Sequence, residues 1–523
     1  MVSLTFYDGV DCIGGNKILL ADEDCRTSLF FDFGTNFEIE GQFFDEFLAP
    51  RVAFGFHDLL ALGILPPLQG LYRCDLEYPG VWEKYASSSL YRTVGVQGIL
   101  LSHAHLDHCG YLSYLREDVP IITNVTSALI CKVLQDTGSG NRLQELCYLN
   151  SRELKDGLLQ PGPYKSTPFR QRKYKILGKN ALSEYLHSFW KKVYLSRELY
   201  SCPLEPCQRE GEEMEVGDLM VRMWSVDHSI PGAVAFGVRT SSGWIVYTGD
   251  LRLHGRNASL TRRFFEEAQA LEPLILICEG THPEVEKPCT EGEVAEESFR
   301  IVAKTQGLVV ADFGPRNVER LLSFLEVARQ TGRRLVLTAK DVYLLETLAR
   351  VEESDVPDPH SEEHFVLYRR PKTRERGWEE ALFERFDPAR VVEAKDIKKN
   401  PKEYILCFSY YDFHAFLDIE PQGGTYIYSS SEAYNEEMLL DHNRVKNWID
   451  YFGFELYGTL GEDRERSGFH ASGHLHGPGI REMVETIRPK ILAPVHTENR
   501  EFFRQFEGLC RVVWLERGEM ITC

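Results

Sequence analysis

The chain has 523 residues, of which 43% are hydrophobic and 26% are charged. This composition is typical of a folded protein with more than one hydrophobic core, and it excludes a chain that is disordered along most of its length. The net charge of −20 predicts that a polyanionic ligand needs a local basic surface or a metal ion, because the average field of the protein repels it.

Apolar runs and cysteines bear on the location of the protein. No apolar run approaches the roughly 18 residues that a membrane helix needs, so we expect no membrane partner. The 13 cysteines are odd in number and scattered along the chain, unlike a disulfide framework. This pattern favours a reducing compartment, and it predicts a cytoplasmic protein.

The first 250 residues are rich in strand patterns. Short β-rich runs at 4–7, 14–20 and 28–34 are separated by turn residues and predict a sheet meander. Residues 96–101 have the pattern of a buried strand, and the apolar run 111–115 that follows could begin a helix. Further on, 233–240 and 244–248 flank a short turn and predict a hairpin.

A basic stretch interrupts this part of the chain. Between residues 165 and 192 there are eight Lys or Arg residues and one acidic residue, with aromatic residues between them. One interpretation is contact with the backbone and bases of single-stranded nucleic acid, through Arg170, Arg172, Lys173 and Lys175. The alternative is a solvated helix face with an apolar underside.

From about residue 290 helices and strands alternate. Helices are predicted at 291–304 and 318–330, and strands at 307–311, 334–338, 404–407 and 424–428. Repeated strand–helix units predict a mostly parallel sheet that continues to about residue 457. Past residue 458 the β pattern of the first region resumes.

The strongest chemical signal is a cluster of His103, His105, Asp107 and His108 directly after the strand at 96–101. Imidazole and carboxylate groups are the ligands that zinc takes in open hydrolytic sites, and four of them this close fit a pair of metal ions better than one. The alternative is a polar turn of hydrogen-bonded histidines, but each buried imidazole would then need its own partner.

A two-metal site needs about three more ligands, and His228, Asp250 and His496 are candidates because each stands at the end of a predicted strand. Loops at strand ends share one rim of a sheet. Any one of these residues alone could be a hydrogen-bonded structural group, but together they complete a ligand set.

These residues carry a family resemblance. The cluster from His103 to His108, with Asp32, His228 and Asp250, resembles the motif series of the metallo-β-lactamase fold, an α/β fold in which an αββα sandwich carries a dinuclear zinc site at one edge. Glu279, His474 and His496 resemble motifs A, B and C of the β-CASP nucleases. The phrases at 228–231, 247–250, 472–474 and 494–496 are most similar to ribonuclease J and its relatives.

The resemblance covers most of the chain and implies its organisation. It predicts a metallo-β-lactamase domain in two parts, 1–288 and 458–523, with an inserted α/β β-CASP domain at 289–457. The sequence departs from the ribonuclease J pattern in the longer insert at 131–219 and in Glu279, which is nearer to the glutamate of the polyadenylation endonucleases.

The resemblance also implies residue roles. His103, His105 and His228 would hold one zinc ion, Asp107, His108 and His496 the other, and Asp250 would bridge them. Asp107 and His474 are the implied catalytic residues, with His474 as the general acid. Asp32 and Glu279 would orient the imidazoles of ligands, while His470, Ser472 and Gly473 would lie near the scissile phosphate.

The resulting hypothesis is a ribonuclease with two Zn²⁺ ions, or Mn²⁺ in their place, that hydrolyses single-stranded RNA. The histidine at motif C, His496, favours RNA because it is typical of the RNA-processing members of the family. The competing hypotheses are a DNA nuclease, a small-molecule hydrolase on the same core, and an RNA-binding scaffold without catalysis. Exonuclease or endonuclease action and the oligomeric state are left open by the sequence.

Overall fold

The computed structural model describes residues 1–45, 47–138, 143–162, 168–178, 183–193, 199–200, 205–206, 213–352, 354–430, 436–460 and 468–523. The strands up to residue 206 are β1 (Val2–Asp8), β2 (Lys17–Asp22), β3 (Thr27–Phe31), β4 (Leu68–Gln69), β5 (Arg92–Thr93), β6 (Gly98–Leu100), β7 (Ile121–Thr123), β8 (Tyr148–Leu149), β9 (Arg152–Lys155), β10 (Leu158–Pro161), β11 (Phe169–Gln171), β12 (Tyr174–Ile176), β13 (Leu199–Tyr200) and β14 (Glu205–Pro206).

The strands that follow are β15 (Glu213–Val216), β16 (Leu219–Ser225), β17 (Val234–Thr240), β18 (Gly243–Tyr247), β19 (Ile275–Glu279), β20 (Leu308–Asp312), β21 (Arg334–Leu337), β22 (Phe365–Tyr368), β23 (Val391–Val392), β24 (Tyr404–Cys407), β25 (Gly424–Tyr428), β26 (Phe454–Tyr457), β27 (Ile491–Val495), β28 (Arg511–Val512) and β29 (Glu519–Thr522). The helices are α1 (Phe37–Gly41), α2 (His57–Ala61), α3 (Leu106–Cys109), α4 (Val125–Thr137), α5 (Glu184–Lys191), α6 (Ala258–Gln269), α7 (Glu291–Val302), α8 (Val318–Thr331), α9 (Ala339–Leu348), α10 (Gly377–Arg385), α11 (Ala394–Lys399), α12 (His414–Ile419), α13 (Glu436–Phe452) and α14 (Gly477–Ile487).

Two sheets share one hydrophobic core. The first has the order β14-β12-β7-β6-β3-β2-β1-β29, parallel from β14 to β3 and antiparallel from there to β29. The second has the order β15-β16-β17-β18-β19-β27-β28, antiparallel up to β18 and parallel beyond it. Leu4 and Phe31 of the first sheet belong to the same buried cluster as Val221, Phe236 and Ile277 of the second. The two sheets therefore pack face to face.

Helices cover the other face of the second sheet. Phe264 and Phe265 of α6 and Met483 of α14 form a buried cluster with Val246 and Leu276 of the sheet. The apolar residues of α6 and α14 recur on one side of each helix, as the burial of a helix against a sheet requires.

The third sheet has the order β23-β22-β21-β24-β20-β25-β26, and all of its strand pairs are parallel. One face packs on α8 and α9, and the other on α12 and α13. Local chemistry sets the ends of α8: the Asn317 side chain accepts from the amide of Arg320, and Gly332 ends the helix in the left-handed conformation at φ 65°. The expectation of a mixed α/β protein with a parallel unit after residue 290 is confirmed.

Smaller expectations from the sequence can be compared with the same elements. The predicted meander is β1, β2 and β3, and the hairpin is β17 and β18. The apolar run at 111–115 lies in a 3-10 helix, Gly110–Tyr114, rather than at the start of an α-helix. Across the described ranges, every helix is too short or too polar to span a bilayer.

Candidate metal centre

Strand direction brings the candidate residues to one edge of the two packed sheets. β3 and β6 are parallel neighbours, so Asp32 and His103, which follow them, leave the first sheet side by side. β18, β19 and β27 are also parallel neighbours, and Asp250, Glu279 and His496 stand at their carboxyl ends.

His103, His105 and His228 form the first ligand group. The Nδ1 atom of His105 lies 3.1 Å from His103 Nε2 and 3.1 Å from His228 Nε2. Their ligand atoms lie within 4.8 Å of one another. Three imidazole nitrogens that meet at this spacing leave room for one cation between them.

Asp107, His108, His496 and Asp250 form the second group, again with ligand atoms within 4.8 Å of one another. Oδ2 of Asp107 lies 3.7 Å from His108 Nε2 and 3.4 Å from His496 Nε2. His108 and His496 are buried, whereas the Asp107 side chain is 21% exposed toward the cavity described below.

Asp250 joins the two groups. Its Oδ2 atom lies 3.6 Å from His103 Nε2 and 4.0 Å from His228 Nε2, in the first group. The same atom lies 3.0 Å from His108 Nε2 and 3.5 Å from His496 Nε2, in the second. One carboxylate oxygen thus stands between four imidazoles, which is the position that a bridging ligand requires.

Asp32 determines which nitrogen of His108 carries a proton. His108 Nδ1 donates to Asp32 Oδ2 at 2.7 Å, so the Nε2 atom of the neutral ring presents a lone pair to the group. The carboxylate is held by the backbone amide and the hydroxyl of Ser102, both at 2.7 Å, and by the hydroxyl of Tyr247 at 2.6 Å. Asp32 therefore acts as an anchor for a ligand ring rather than as a ligand.

The other rings are oriented in the same way. His103 Nδ1 lies 3.0 Å from the Ser102 hydroxyl, whose own proton goes to Asp32. His228 Nδ1 donates to the carbonyl of Gly473 at 2.5 Å. The rings of His103 and His228 thus leave Nε2 free for a cation, whereas His105 presents Nδ1 to the group.

His496 is oriented through a hydroxyl relay. Thr281 Oγ1 donates to Glu279 Oε2 at 2.8 Å and lies 3.0 Å from His496 Nδ1, so it accepts the proton of that nitrogen. Glu279 thus orients a ligand imidazole through Thr281, while its Oε1 accepts the amides of Leu251 and Leu475.

The pKa values of the histidines differ between the two ligand groups. Burial, reinforced by neighbouring histidines, lowers the pKa of His103 far below its ordinary value and that of His228 to about 3, so these rings are neutral. Burial also acts to lower the pKa of His108, but the carboxylates of Asp250, Asp107 and Asp32 outweigh it and raise that pKa well above the ordinary value. A cation in the second group would replace the proton that these carboxylates attract.

The arrangement fits metal ions. In the first group the lone pairs of His103 Nε2, His105 Nδ1 and His228 Nε2 converge on the same space, and lone pairs that face one another repel unless a cation lies between them. The buried Oδ1 atom of Asp250 has no hydrogen-bond partner among the described residues. A bound cation would relieve the repulsion between the lone pairs and would give the Asp250 carboxylate a partner.

A cavity of about 620 Å³ opens onto this edge. Asp107 and His496 of the second group, His105 of the first group and the segment 470–474 line one side of it. Gly314–Asn317 after β20 and Ser429 after β25 line the other. The third sheet therefore directs two of its strand ends at the metal cluster, and the cavity lies between the two parts of the fold.

His474 lies in this cavity beside both carboxylates of the second sheet. Its Nδ1 is 3.3 Å from Glu279 Oε2 and 3.8 Å from Asp250 Oδ2. Glu279, His474 and His496 also form a group with metal-compatible spacing. The geometry thus allows His474 either to carry a proton to a substrate or to bind a metal.

His470, Ser472 and Gly473 line the same cavity. A side chain at Gly473 would place its Cβ atom 2.7 Å from Cε1 of the His228 ring and 2.7 Å from the Ser229 hydroxyl. Glycine at this position is what lets the backbone approach the first ligand group closely enough for its carbonyl to accept from His228.

One of the four basic residues predicted to contact RNA is buried in the structure. Arg172 as an RNA contact is wrong: its side chain is buried and donates to the carbonyls of Glu145, Leu115 and Ser113 at 2.7–2.8 Å. Tyr174 and Trp190, two aromatic residues of the same stretch, are also core residues.

Arg170, Lys173 and Lys175 stay predictions as RNA contacts. Arg170 pairs with Glu117 at 2.5 Å. Lys173 precedes β12, at the amino end of a strand that runs parallel to β7, and so lies at the edge of the first sheet opposite to the metal cluster. Lys165 and Lys179 lie outside the described residues.

Sequence reasoning missed Ser102, Thr281, Tyr247 and Arg316. Ser102 immediately precedes His103, and Thr281 follows Glu279 by two positions, so a polar residue beside a predicted ligand was a usable signal. Tyr247 and Arg316 carried no such signal, because their approach to the site depends on the packing of distant segments.

Comparison with known proteins finds similarity to curated ribonucleases. Ribonuclease J of Sinorhizobium meliloti is 27% identical over 334 residues, which cover 60% of this chain and 53% of that protein. Ribonuclease J 2 of Streptococcus pyogenes is 24% identical over 55% of this chain and 49% of that protein, and ribonuclease J of Thermus thermophilus is 25% identical over 53% and 45%. The chain spans about half the length of the curated relatives it matches.

A solved structure extends the likeness to the whole fold. The crystal structure of a protein of unknown function from Enterococcus faecalis superposes with a TM-score of 0.67 at 22% identity, over 99% of both chains. No family model matches the chain. The curated matches, together with the motif residues that the fold brings to one edge, support a ribonuclease J-like relative of the β-CASP metallo-β-lactamase proteins.

Proposed function

We propose that this protein is a metal-dependent ribonuclease that hydrolyses phosphodiester bonds in single-stranded RNA. The observation that carries the proposal is the pair of ligand groups joined by Asp250 Oδ2, with His474 beside them in a cavity of about 620 Å³. The names of its curated relatives, ribonuclease J, point to the same reaction.

Zn²⁺ fits the donor set of imidazoles and carboxylates, and Mn²⁺ is the alternative. In the proposal, His103, His105 and His228 hold one ion, Asp107, His108 and His496 hold the second, and Asp250 contacts both. Two such ions would activate a water molecule and neutralise charge on the non-bridging phosphate oxygens.

His474 supplies the proton that the leaving oxygen needs. Glu279, 3.3 Å from Nδ1, holds the ring so that Nε2 is the nitrogen left to donate. The amide of His474 donates to the Ser472 hydroxyl at 3.2 Å, and the carbonyl of Ser472 is in turn held by Arg252 and His254. The residues around His474 thus restrict its backbone, as a positioned general acid requires.

The proposal includes the architecture of the family. The two packed sheets with their helices correspond to the αββα sandwich, in the parts 1–288 and 458–523, and the parallel third sheet corresponds to the β-CASP domain at 289–457. RNA would enter the cavity between them. The eleven cysteines of the described ranges are all free thiols, which supports the cytoplasmic location.

The test is a cleavage assay with metal analysis. We expect about two equivalents of zinc per chain, and fragments from a 5′-labelled single-stranded RNA but not from DNA of the same sequence. Asp250→Ala should abolish cleavage because it removes the bridging ligand, while His414→Ala, a change at an exposed histidine of α12, should leave cleavage intact.

Each competing hypothesis predicts a different result. Equal cleavage of DNA would make the protein a DNA nuclease or a general nuclease. RNA binding without cleavage would make it a scaffold. Neither binding nor cleavage of nucleic acid, with both metals present, would point to a small-molecule hydrolase and overturn the proposal.

A further inference from the structure

A second cavity, of about 250 Å³, lies at the carboxyl edge of the third sheet. Its walls come from the segments that follow four adjacent parallel strands, β22, β21, β24 and β20. β20 leads through α8 to one side of the sheet, and β24 leads through α12 to the other. The crevice between two such strands is the usual ligand position in open α/β sheets.

The second cavity continues from the first. Pro315 lines both cavities, and Arg316 beside it lines the cavity at the metal cluster. Over the described ranges, the Arg316 guanidinium makes no hydrogen bond and no ion pair. An unpaired arginine in a cavity next to the ligand groups is available to a phosphate.

Lys340 is the available cation of the second cavity. Lys340 is exposed at the cavity, and within the described part of the chain its ammonium has no ion-pair or hydrogen-bond partner. Partial desolvation in the cavity lowers the pKa of Lys340, although the carboxylates of Asp412 and Asp341 act to raise it. The other cations of the lining are already used, since Arg370 pairs with Asp412 and Lys372 pairs with Glu379.

Tyr368 provides an independent observation. This residue ends β22, is only 3% exposed, and lines the second cavity. Its hydroxyl is buried and has no hydrogen-bond partner among the described residues. A buried hydroxyl without a partner costs free energy, and it indicates a ligand that supplies an acceptor.

The carboxyl group nearest to Lys340 in sequence does not oppose an anion strongly. Asp341 Oδ2 accepts from the amide and hydroxyl of Thr338 at 2.9 and 2.7 Å, as part of the capping box of α9. Burial raises the pKa of Asp341 to about 7, so near neutral pH this group carries only part of a negative charge.

We propose that the second cavity is a subsite for a backbone phosphate of the RNA strand, which passes Arg316 on its way from the metal cluster and is held by Lys340 and Tyr368. This inference rests on the proposed function, since it assigns a further length of the same RNA to the protein. The exposed ring of Tyr411 at the rim, 78% accessible, offers a surface on which an adjacent base stacks.

RNA length separates this subsite from the metal cluster. The probes are fluorescein-labelled phosphorothioate RNAs of 3 and 12 nucleotides, which resist hydrolysis, and binding to the zinc-loaded protein is measured by anisotropy. We expect Lys340→Met to weaken binding of the 12-mer about tenfold and to lower its salt slope by about 0.7, with the 3-mer unchanged, because one phosphate contact is lost. Lys446→Met, a change at an exposed lysine of α13, is the matched control.

Tyr368→Phe tests whether the hydroxyl serves a ligand or the fold. Because the hydroxyl has no partner among the residues that the structure describes, its removal should leave Tm unchanged and weaken only the 12-mer, by about threefold. A fall in Tm would show that the hydroxyl bonds within the protein, and equal binding of the 12-mer by wild type and both variants would show that no RNA phosphate reaches this cavity. Either result overturns the proposal.

Two further measurements distinguish an RNA subsite from a nucleotide site and from a failure of the proposed function. If free AMP binds in a Lys340-dependent way while the 12-mer does not depend on Lys340, the cavity serves a nucleotide and not the RNA strand, and the proposal is wrong. If the wild-type protein neither binds the 12-mer nor cleaves unmodified RNA, the proposed function itself fails. If the wild-type protein binds the 12-mer and cleaves RNA, and both variants bind the 12-mer equally well, only the subsite is refuted.

Discussion

His474 and His496 lie at the same rim with ring centroids 5.2 Å apart, but their contacts differ. His496 presents Nε2 to Asp107 and Asp250 and is locked through Nδ1 by Thr281. His474 presents Nδ1 to Glu279 and is slightly exposed to the cavity. Replacement of His496 should therefore affect metal binding, whereas replacement of His474 should affect the rate of cleavage.

We expect His496→Ala to weaken one metal site and to reduce activity in proportion, with partial recovery in excess zinc. We expect His474→Ala to retain both metals and RNA binding, while kcat falls by roughly 10² to 10⁴ without rescue by zinc. Metal content, RNA binding and kcat of each variant check these outcomes.

The substrate provides the control for His474. An activated aryl phosphodiester has a leaving oxygen that needs no proton, so its hydrolysis should lose less in His474→Ala than RNA cleavage does. Loss of metal from His474→Ala, or equal losses on both substrates, would show instead that His474 is a ligand or a phosphate-binding group.

Two residues at the edge that carries the ligand groups have an unusual backbone conformation. Asp32 and His496 both have a φ of 53°, in the left-handed region that non-glycine residues rarely adopt. Each follows a strand and must turn its side chain sharply toward the ligand groups. Strain of this kind, on the order of 1–3 kcal/mol per residue, persists only where surrounding contacts outweigh it.

At the scale of elements, a buried ionic cluster connects the third sheet to the segment that carries His474. Arg320 of α8 donates to both carboxylate oxygens of Glu291 in α7, at 2.8 and 3.0 Å, and to the carbonyls of Phe469 and Ala471. Arg252, after β18, donates to Glu291 at 3.0 Å as well. Two helices of the third-sheet unit thus hold the backbone on which His474 is placed.

Glu291→Gln should therefore lower kcat for RNA and reduce stability together. Loss of the carboxylate removes the ion pair of the buried Arg320, which costs about 3–5 kcal/mol in comparable pairs, whereas Arg252 still pairs with Asp227 and Glu319. Chemical denaturation and kcat measure the two effects, and Glu296→Gln, at an exposed position of the same helix, is the control. A stability loss with unchanged kcat in the folded fraction would separate the cluster from the placement of His474.

Helix α9 gives a prediction about pH. Burial raises the pKa of Asp341 from 3.8 to about 7 in the folded protein. As pH rises from about 4 to 7, the unfolded chain loses the proton of this group while the folded protein keeps it, so the folded state loses stability by at most about 1.4 kcal/mol per pH unit. Above pH 7 the penalty is complete.

Asp341→Asn removes this penalty and retains an acceptor for Thr338. We expect the variant to be progressively more stable than wild type as pH rises from 4 to 7, with a constant difference at higher pH. Urea denaturation of both proteins at pH 4.5, 6 and 8 checks the trend. A difference that stays the same at all three pH values would contradict the raised pKa.

At the scale of the whole molecule, the metal cluster connects the two packed sheets. His103 and His108 come from the first sheet, while His228, Asp250 and His496 come from the second. A ligand that binds only the folded protein stabilises it by mass action, so chelation should lower Tm by several degrees. Differential scanning calorimetry with and without EDTA, followed by addition of zinc, measures this effect.

Asp250→Ala is the control for chelation. It lacks the bridging carboxylate, so its Tm should start low and respond little to EDTA. An equal response of wild type and variant would place the stabilising metal elsewhere in the protein.

Much of this organisation was predictable from the sequence, and the reason is local. His103, His105, Asp107 and His108 lie within six positions after a strand, so chain connectivity alone brings them together. The parallel third sheet was predictable because alternating helix and strand patterns are periodic along the chain. His228, Asp250 and His496 were found because each directly ends or follows a strand pattern.

The remaining features depend on contacts between residues far apart in sequence, which no periodicity encodes. Charge is visible in a sequence but burial is not, so Arg172 was taken for an RNA contact although it lies in the core. The metal ligands of our proposal could all be chosen from the order of residues along the chain. Only the tertiary structure decided which nitrogen of each ring is free, how Glu279 reaches His496 through Thr281, and that Arg316, Lys340 and Tyr368 face cavities without a partner among the described residues. The physical reason is that proton positions and unpaired groups follow from the packing of whole elements against one another.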